Sequence, residues 1–279
     1  MSISGSIRFE KNDFDQFRQF LENESGIVLG DNKQYLVASR LRKIMQESDL
    51  HDLKDLLSKV KFNGRLKERV IDAMTTNETL WFRDKHPYRI LKEIIFPELV
   101  SQKKSSIRIW SSACSSGQEP YSMSMMVEEY NRSNPGKRVN QAQILATDLS
   151  SEILDQAKRA SYEKLALARG LDADLQKRYF SENPDGSWSV NRDIKSRVEF
   201  RSQNLLGSYA SLGKFDIIFC RNVLIYFSAE QKQDILTRLS KQLNPNGYLV
   251  IGATESLTGL NDIYEMIQCR PGLIYRAKK

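Results

Sequence analysis

Histidine is nearly absent from this sequence: 279 residues contain two, His51 and His86. A histidine-rich metal site is therefore excluded, and no metal is expected. No Gly-x-Ser-x-Gly elbow accompanies a candidate base for acyl transfer either. His86 directly precedes Pro87 at a predicted helix start, which assigns it to structure or to solvent. Cysteine is scarce too. Cys114, Cys220 and Cys269 are far apart and odd in number, with no C-x-x-C pair, a pattern that suits the reducing cytoplasm rather than a disulfide framework. No apolar run approaches the roughly 20 residues that a membrane-spanning helix needs. Residues 1–10 lack the basic-then-apolar pattern of a secretory signal, so a cytoplasmic protein without membrane insertion is expected. Internal repeats and low-complexity tracts are also missing.

What the sequence does have is an excess of positive charge, 42 Lys and Arg against 35 Asp and Glu. A net +7 attracts an acidic partner, and charge alone does not choose among nucleic acid, anionic lipid and acidic protein. Two textures follow one another along the chain. Residues 12–74 carry only helical periodicity. Phe14, Phe17 and Leu21 share one face before Gly26, and Leu36, Val37, Leu41, Ile44 and Met45 form a second stripe, with Asp31 or Asn32 as its predicted cap. Leu50, Leu53, Leu56, Leu57 and Val60 form a third, with Ser48 or Asp49 as cap, and Leu66, Val70, Ile71 and Met74 a fourth. A helical N-terminal domain over 1–75 is the expected product, followed by a linker and connecting helix over 76–104.

From 105 to 279 strands and helices alternate. Predicted strands are Ile107–Trp110, Gln143–Thr147, Val198–Phe200, Phe215–Cys220 and Tyr248–Gly252, and Ser228 with Gln231 reads as a capping box. Tyr264–Gln268 and Leu273–Ala277 form a closing hairpin. This alternation predicts an α/β, Rossmann-like doubly wound sheet, whose ligands bind beyond the carboxyl ends of its strands.

The polar residues at those strand ends are the candidate site. The loop after the first strand, Ser111-Ser-Ala-Cys-Ser-Ser-Gly117, has small side chains that admit a ligand to the backbone, yet a single glycine. Glu119 follows at a helix N-terminus, where a pyrophosphate would otherwise sit. An acid there suits a cationic ligand, such as the amino or sulfonium side of S-adenosylmethionine; its ordinary role would be to stabilise the helix dipole. Asp148, ending the second strand, suits the two hydroxyls of a ribose, or else caps the next helix. Asn204 and Leu205 after the third strand suit an adenine edge and face, and Asn222 lies beyond the fourth; each singly is also an ordinary turn residue.

Three long stretches carry a family resemblance: Thr75-Thr-Asn-Glu-Thr-Leu-Trp-Phe-Arg83, Ile109-Trp-Ser-Ser-Ala-Cys-Ser-Ser-Gly-Gln-Glu-Pro-Tyr-Ser122 and Phe215-Asp-Ile-Ile-Phe-Cys-Arg-Asn-Val-Leu-Ile-Tyr-Phe227. With Ala146-Thr-Asp148 and Leu243–Gly247, they resemble the chemotaxis-receptor methyltransferases called CheR, over essentially the whole chain. The resemblance implies a class I methyltransferase domain with a small antiparallel β-subdomain (about 180–198) behind the helical domain. It implies methyl transfer from S-adenosylmethionine to receptor glutamates, giving γ-glutamyl methyl esters and S-adenosylhomocysteine. By motif, the cofactor contacts would be Asn77, Thr79, Arg83, Glu119, Asp148, Asn204, Leu205, Arg221 and Asn222, with Arg83 and Tyr226 catalytic, beside the reacting methyl.

Two departures stand out. Gln118 precedes Glu119 where the family more often has a second glutamate, and the hairpin region Ser181–Asn191 is shorter than in members that grip a receptor's C-terminal peptide. Tethering by such a peptide therefore stays open. The implied partner is the cytoplasmic helical bundle of a methyl-accepting chemoreceptor, approached by a monomer. Arg40, Arg42 and Lys43 on the second helix are the candidate docking face, although charge runs are usually just solvated. Nucleic acid is not expected, since Phe62 is the only aromatic between Lys54 and Arg69. A methyltransferase for RNA or another protein, and a non-catalytic cofactor-binding adaptor, are the alternatives.

Overall fold

The computed structural model describes residues 10–104, 106–257, 259–270 and 272–278, so the expectation for residues 1–9 lies outside it. The first four helices follow the apolar stripes. Helix α1 (Lys11–Ser25) buries Phe14, Phe17 and Leu21, α2 (Gln34–Glu47) buries Val37, Leu41, Ile44 and Met45, and α3 (Leu53–Val60) and α4 (Gly64–Met74) close the bundle. These side chains form one apolar cluster of their own. Helix α1 stops at Gly26, whose φ of 77° lets its N–H reach back to the Glu22 carbonyl.

Two predicted caps are corrected. Helix α2 starts after Lys33 with no side-chain cap, because Asp31 is drawn instead into an ion pair with Arg18 at 2.5 Å. Helix α3 is capped by Asp52, which accepts from the Asp55 N–H; Ser48 and Asp49 belong to the turn that ends α2.

The linker passes into α5 (His86–Ile90), a π-helical turn (Leu91–Ile95) and α6 (Phe96–Ser101), which run on without a break. The alternating part follows as β1 (Ile107–Ser112), α7 (Gln118–Ser133), β2 (Ala142–Asp148) and α8 (Ser151–Arg159). Then come β3 (Ser161–Tyr162), α9 (Lys164–Ala168), α10 (Ala173–Tyr179), β4 (Phe180–Glu182), β5 (Trp188–Val190), α11 (Arg192–Lys195) and β6 (Val198–Ser202). The chain closes with β7 (Phe215–Cys220), α12 (Ala229–Gln242), β8 (Leu243–Ile251), β9 (Tyr264–Cys269) and β10 (Gly272–Ala277). The capping box of α12 forms as expected, between Ser228 and Gln231.

Seven strands make one sheet in the order β6-β2-β1-β7-β8-β10-β9. The first five are parallel, while β10 runs antiparallel to β8 and β9, which is the predicted closing hairpin. Asn244-Pro-Asn-Gly247 lies inside β8 as an irregularity: Phe215 pairs with Leu243, but Ile217 pairs with Tyr248. Its turn chemistry survives in Asn246, with φ 62°. The smaller sheet, β3-β5-β4, is antiparallel, and Gly186 at φ 83° turns its hairpin.

Register fixes where a ligand can go. Ser112 pairs with Thr147 and Cys220, Asp148 with Ser202, and Cys220 with Ile251, so five carboxyl ends form one rim. Successive strands leave β1 in opposite directions, to β2 on one side and β7 on the other, which opens a crevice there. Apolar clusters cover both faces of the sheet. No helix among the described residues is long and apolar enough to cross a membrane.

Candidate functional site

The rim opens into a cavity of about 310 Å³, in the size range of small-molecule sites. Its floor comes from the strand-end loops, with Ala113, Cys114 and Ser115 after β1, Asp148 after β2, Asn204 and Leu205 after β6, and Arg221 and Asn222 after β7. One wall is the segment 74–80 with Arg83. The roof belongs to the helical bundle: Ile27, Val28, Leu29 and Gly30 between α1 and α2, and Leu36 and Arg40 on α2. The roof is tied down by backbone, since the Val28 N–H donates to the Tyr226 carbonyl at 2.9 Å.

Backbone conformation marks the same segments. Phe82, Asp84, Lys85, Ala113, Ser115 and Asn222 all have positive φ, six of the ten such non-glycine residues among those described. Each is costly for an L-residue, on the order of 1–3 kcal/mol, and such strain collects where a site demands a particular geometry. In the loop after β1, alternation of Ala113, Ser115 and Gly117 in this region turns backbone N–H groups toward Asp148. The Ser115 N–H donates to Asp148 Oδ2 at 2.8 Å and the Ser150 N–H to Oδ1 at 3.1 Å. Ser150, not Asp148, caps α8. Asp148 thus ties two loops together and still faces the cavity. Burial pushes its carboxyl above the usual aspartate range, against the pull of the backbone donors.

Glu119 sits in the first turn of α7 and is 12% exposed. It accepts from Ser111 Oγ at 2.8 Å and from Arg221 Nη1 at 2.9 Å. Burial raises its carboxyl, and Arg221 and Ser111 work against that rise. Arg221 is the surprise of the site. Its side chain is 1% exposed, and besides Glu119 it donates to Asp84 Oδ2 at 2.6 Å and to the Arg83 carbonyl at 3.0 Å. Burial alone would lower its pKa, but the charges of Glu119, Tyr88 and Asp84 outweigh this and hold it above the ordinary value. Its charge is therefore committed to two carboxylates, not left for a ligand. Arg221 clamps the strand β7 end to the turn that carries Arg83.

All ten residues expected to hold cofactor or act in catalysis line this one cavity: Asn77, Thr79, Arg83, Glu119, Asp148, Asn204, Leu205, Arg221, Asn222 and Tyr226. Their free valences differ. The Asn204 amide donates to the Glu24 carbonyl at 2.7 Å and accepts from the Leu206 N–H, so it joins the bundle to the sheet with one N–H and one lone pair to spare. The Asn77 side-chain amide donates to Thr75 Oγ1, while the Asn77 backbone carbonyl accepts from the Ser115 hydroxyl. Among the described residues, the Arg83 side chain makes one long bond, 3.2 Å to the Glu78 carbonyl, and it lines the cavity.

Of the docking trio, Arg42 and Lys43 are exposed on α2, and Lys43 approaches Glu47. Arg40 is corrected. Its guanidinium turns inward, donating to the Met74 and Thr75 carbonyls at 2.7 and 2.8 Å and to Thr76 Oγ1 at 3.0 Å. Three acceptors at the exposed end of α4 are stronger partners than water at the helix margin, and burial lowers its pKa in consequence. The apolar roof residues were missed by sequence reasoning. Their signal was available: Ile27-Val-Leu29, bounded by Gly26 and Gly30, is an apolar run with no helical period, in which Leu29 and Ile27 pack on the bundle core and Val28 is left outside it.

Comparison with known proteins decides the family. Residues 77–273 match the family described as CheR methyltransferase, SAM binding domain, and residues 12–75 match its all-alpha domain. The chain belongs to the CheR methyltransferase family. It is 55% identical to the chemotaxis protein methyltransferase Cher2 of Pseudomonas putida over 95% of this chain and 98% of that one. It is 50% identical to the chemotaxis protein methyltransferase of Vibrio anguillarum over 98% and 99%, and 34% identical to that of Salmonella typhimurium over 88% and 84%. For a CheR chain the cavity has the right character. It offers small-residue backbone at one strand end, a carboxylate at the next, and neither of the two histidines on its walls.

Proposed function

We propose that this chain methylates glutamate side chains of chemoreceptors, forming γ-glutamyl methyl esters and releasing S-adenosylhomocysteine. The observation that carries this reading is a cavity walled by two buried carboxylates, Glu119 and Asp148, and by no histidine. A glutamate carboxylate is ionised near neutral pH and needs no general base. When bound, S-adenosylmethionine supplies an electrophilic methyl group on a sulfonium sulfur. Asp148 would take the ribose hydroxyls, Leu205 the adenine face, and Glu119 the cationic side, with Asn77, Thr79 and Asn222 completing the contacts.

The remaining task is alignment and exclusion of water, which can supply roughly 7–11 kcal/mol in favourable systems. Arg83 would orient the acceptor carboxylate, and Tyr226, fixed from behind by Val28, would set its approach. The bundle roof would shield the reacting groups. The receptor's cytoplasmic helical bundle would meet Arg42 and Lys43, with the enzyme acting as a cytoplasmic monomer that does not bind nucleic acid. The chain would divide into a helical domain to residue 75, a connecting segment to 104 and the methyltransferase domain beyond. Incubation with methyl-labelled S-adenosylmethionine and receptor fragments tests this directly. Label released by mild base supports an ester; base-stable label, as on nitrogen, overturns it.

A further inference from the structure

The far end of the sheet holds a second concavity, of about 480 Å³, between the C-terminal end of α6 and the turn joining α7 to β2. Strand β1 separates it from the methyl-transfer cavity, by about 20 Å at ~3.3 Å per residue. Four cations line it, Lys103, Lys104, Lys137 and Arg138, and no carboxylate does. Lys104 is paired with Asp216, which is buried and also accepts from the Arg108 N–H at 2.9 Å and Asn244 Nδ2 at 2.8 Å. Among the described residues, no hydrogen bond or ion pair engages the side chains of Lys103, Lys137 or Arg138, and all three are exposed.

An ordinary explanation exists for part of this charge. Two helices, α6 and α7, end here, and cations offset the negative end of a helix dipole. Each terminus carries about half an elementary charge. With the charge of Asp216 added, roughly two positive charges still have no counterpart. Lys103 sits at φ 54°, in the left-handed helix-stop position that glycine usually takes. The Lys137 N–H closes a turn onto the Asn134 carbonyl through Pro135 and Gly136, which holds Lys137 and Arg138 side by side at the rim.

We infer that this concavity binds a small molecule bearing two phosphoryl groups. A diphosphate matches the surplus charge, and the four cations converge on one concavity rather than spreading over a face. Lysine and arginine at its rim supply the point charges and forked donors that phosphate oxygens take. The site is distinct from the methyl-transfer cavity, so its ligand is not consumed in the transfer.

Titration calorimetry of the full chain with inorganic pyrophosphate, near physiological salt, tests the inference. The expected result is saturable one-to-one binding, weakened roughly tenfold or more in K137E/R138E and unchanged in R42E/K43E, whose charges lie on the helical bundle. Retained S-adenosylmethionine affinity in both variants shows that each is folded. Absence of saturable binding, or equal loss in the two variants, overturns the site. Co-sedimentation with phosphatidylglycerol vesicles that K137E/R138E abolishes, without pyrophosphate binding, overturns it in favour of a lipid surface.

Discussion

Arg221 is the residue at which two readings of the site separate most sharply. As a cofactor contact alone, its loss would weaken ligand binding and leave the empty fold intact. The structure instead buries it between Glu119 and Asp84, at 2.9 and 2.6 Å, with a further bond to the Arg83 carbonyl. In R221A the two carboxylates keep their positions and lose their counter-charge. Glu119, already raised by burial, then keeps the Ser111 hydroxyl and the more distant charge of Arg83 to hold it ionised. Breaking a buried pair from one side costs about 3–5 kcal/mol. For a chain of this size each kcal/mol moves the midpoint by about 2–4 °C. The expected drop in Tm is therefore about 6–20 °C, measured by circular dichroism without ligand. The double variant E119Q/R221M should recover part of that loss, because it removes the stranded charge together with its partner. A ligand-free R221A that melts within about 1 °C of wild type would refute the clamp.

Three other outcomes follow from named contacts. Asp148 must be ionised to accept both ribose hydroxyls, and its carboxyl is raised by burial. S-adenosylmethionine affinity should thus fall as pH drops through that raised pKa, while D148N should show weaker, pH-independent binding in calorimetry. The stability sign is opposite: a raised carboxyl stabilises the empty fold below its pKa and loses that contribution as pH rises, so wild type should gain on D148N in acid. R42E/K43E should raise the receptor KM most at low salt, fading as the screening length shrinks to about 8 Å, with Tm nearly unchanged; salt-independent kinetics would leave those residues as solvated surface. G26A places a β-carbon at φ 77° against the Phe227 ring, next to Tyr226. It should cost about 1–3 kcal/mol and lower kcat more than cofactor affinity, as steady-state kinetics and melting would show.

Much of this protein was legible in the sequence, because the relevant physics is local. Apolar residues at helical spacing needed only their own period to specify α1 to α4, and Ser228 with Gln231 needed only a separation of three residues to form a capping box. The rule that ligands lie beyond strand carboxyl ends placed Glu119, Asp148, Leu205 and Asn222 together before any contact was known, and they do line one cavity. What the tertiary structure alone decided was where each polar valence is spent. Asp31 could have capped α2, but Arg18 competes for it. Arg40 could have faced solvent, but the carbonyls ending α4 lie within its reach. Asn204 finds its partner in Glu24, and Arg221 finds one in Asp84, each far away along the chain. Periodicity reports which face of an element is apolar; it carries no record of which donor from a distant element arrives first at a given acceptor. That competition is settled only when the elements pack, and in this protein it gives Asn204, Arg221 and Arg40 partners that fasten the walls of the cavity to one another.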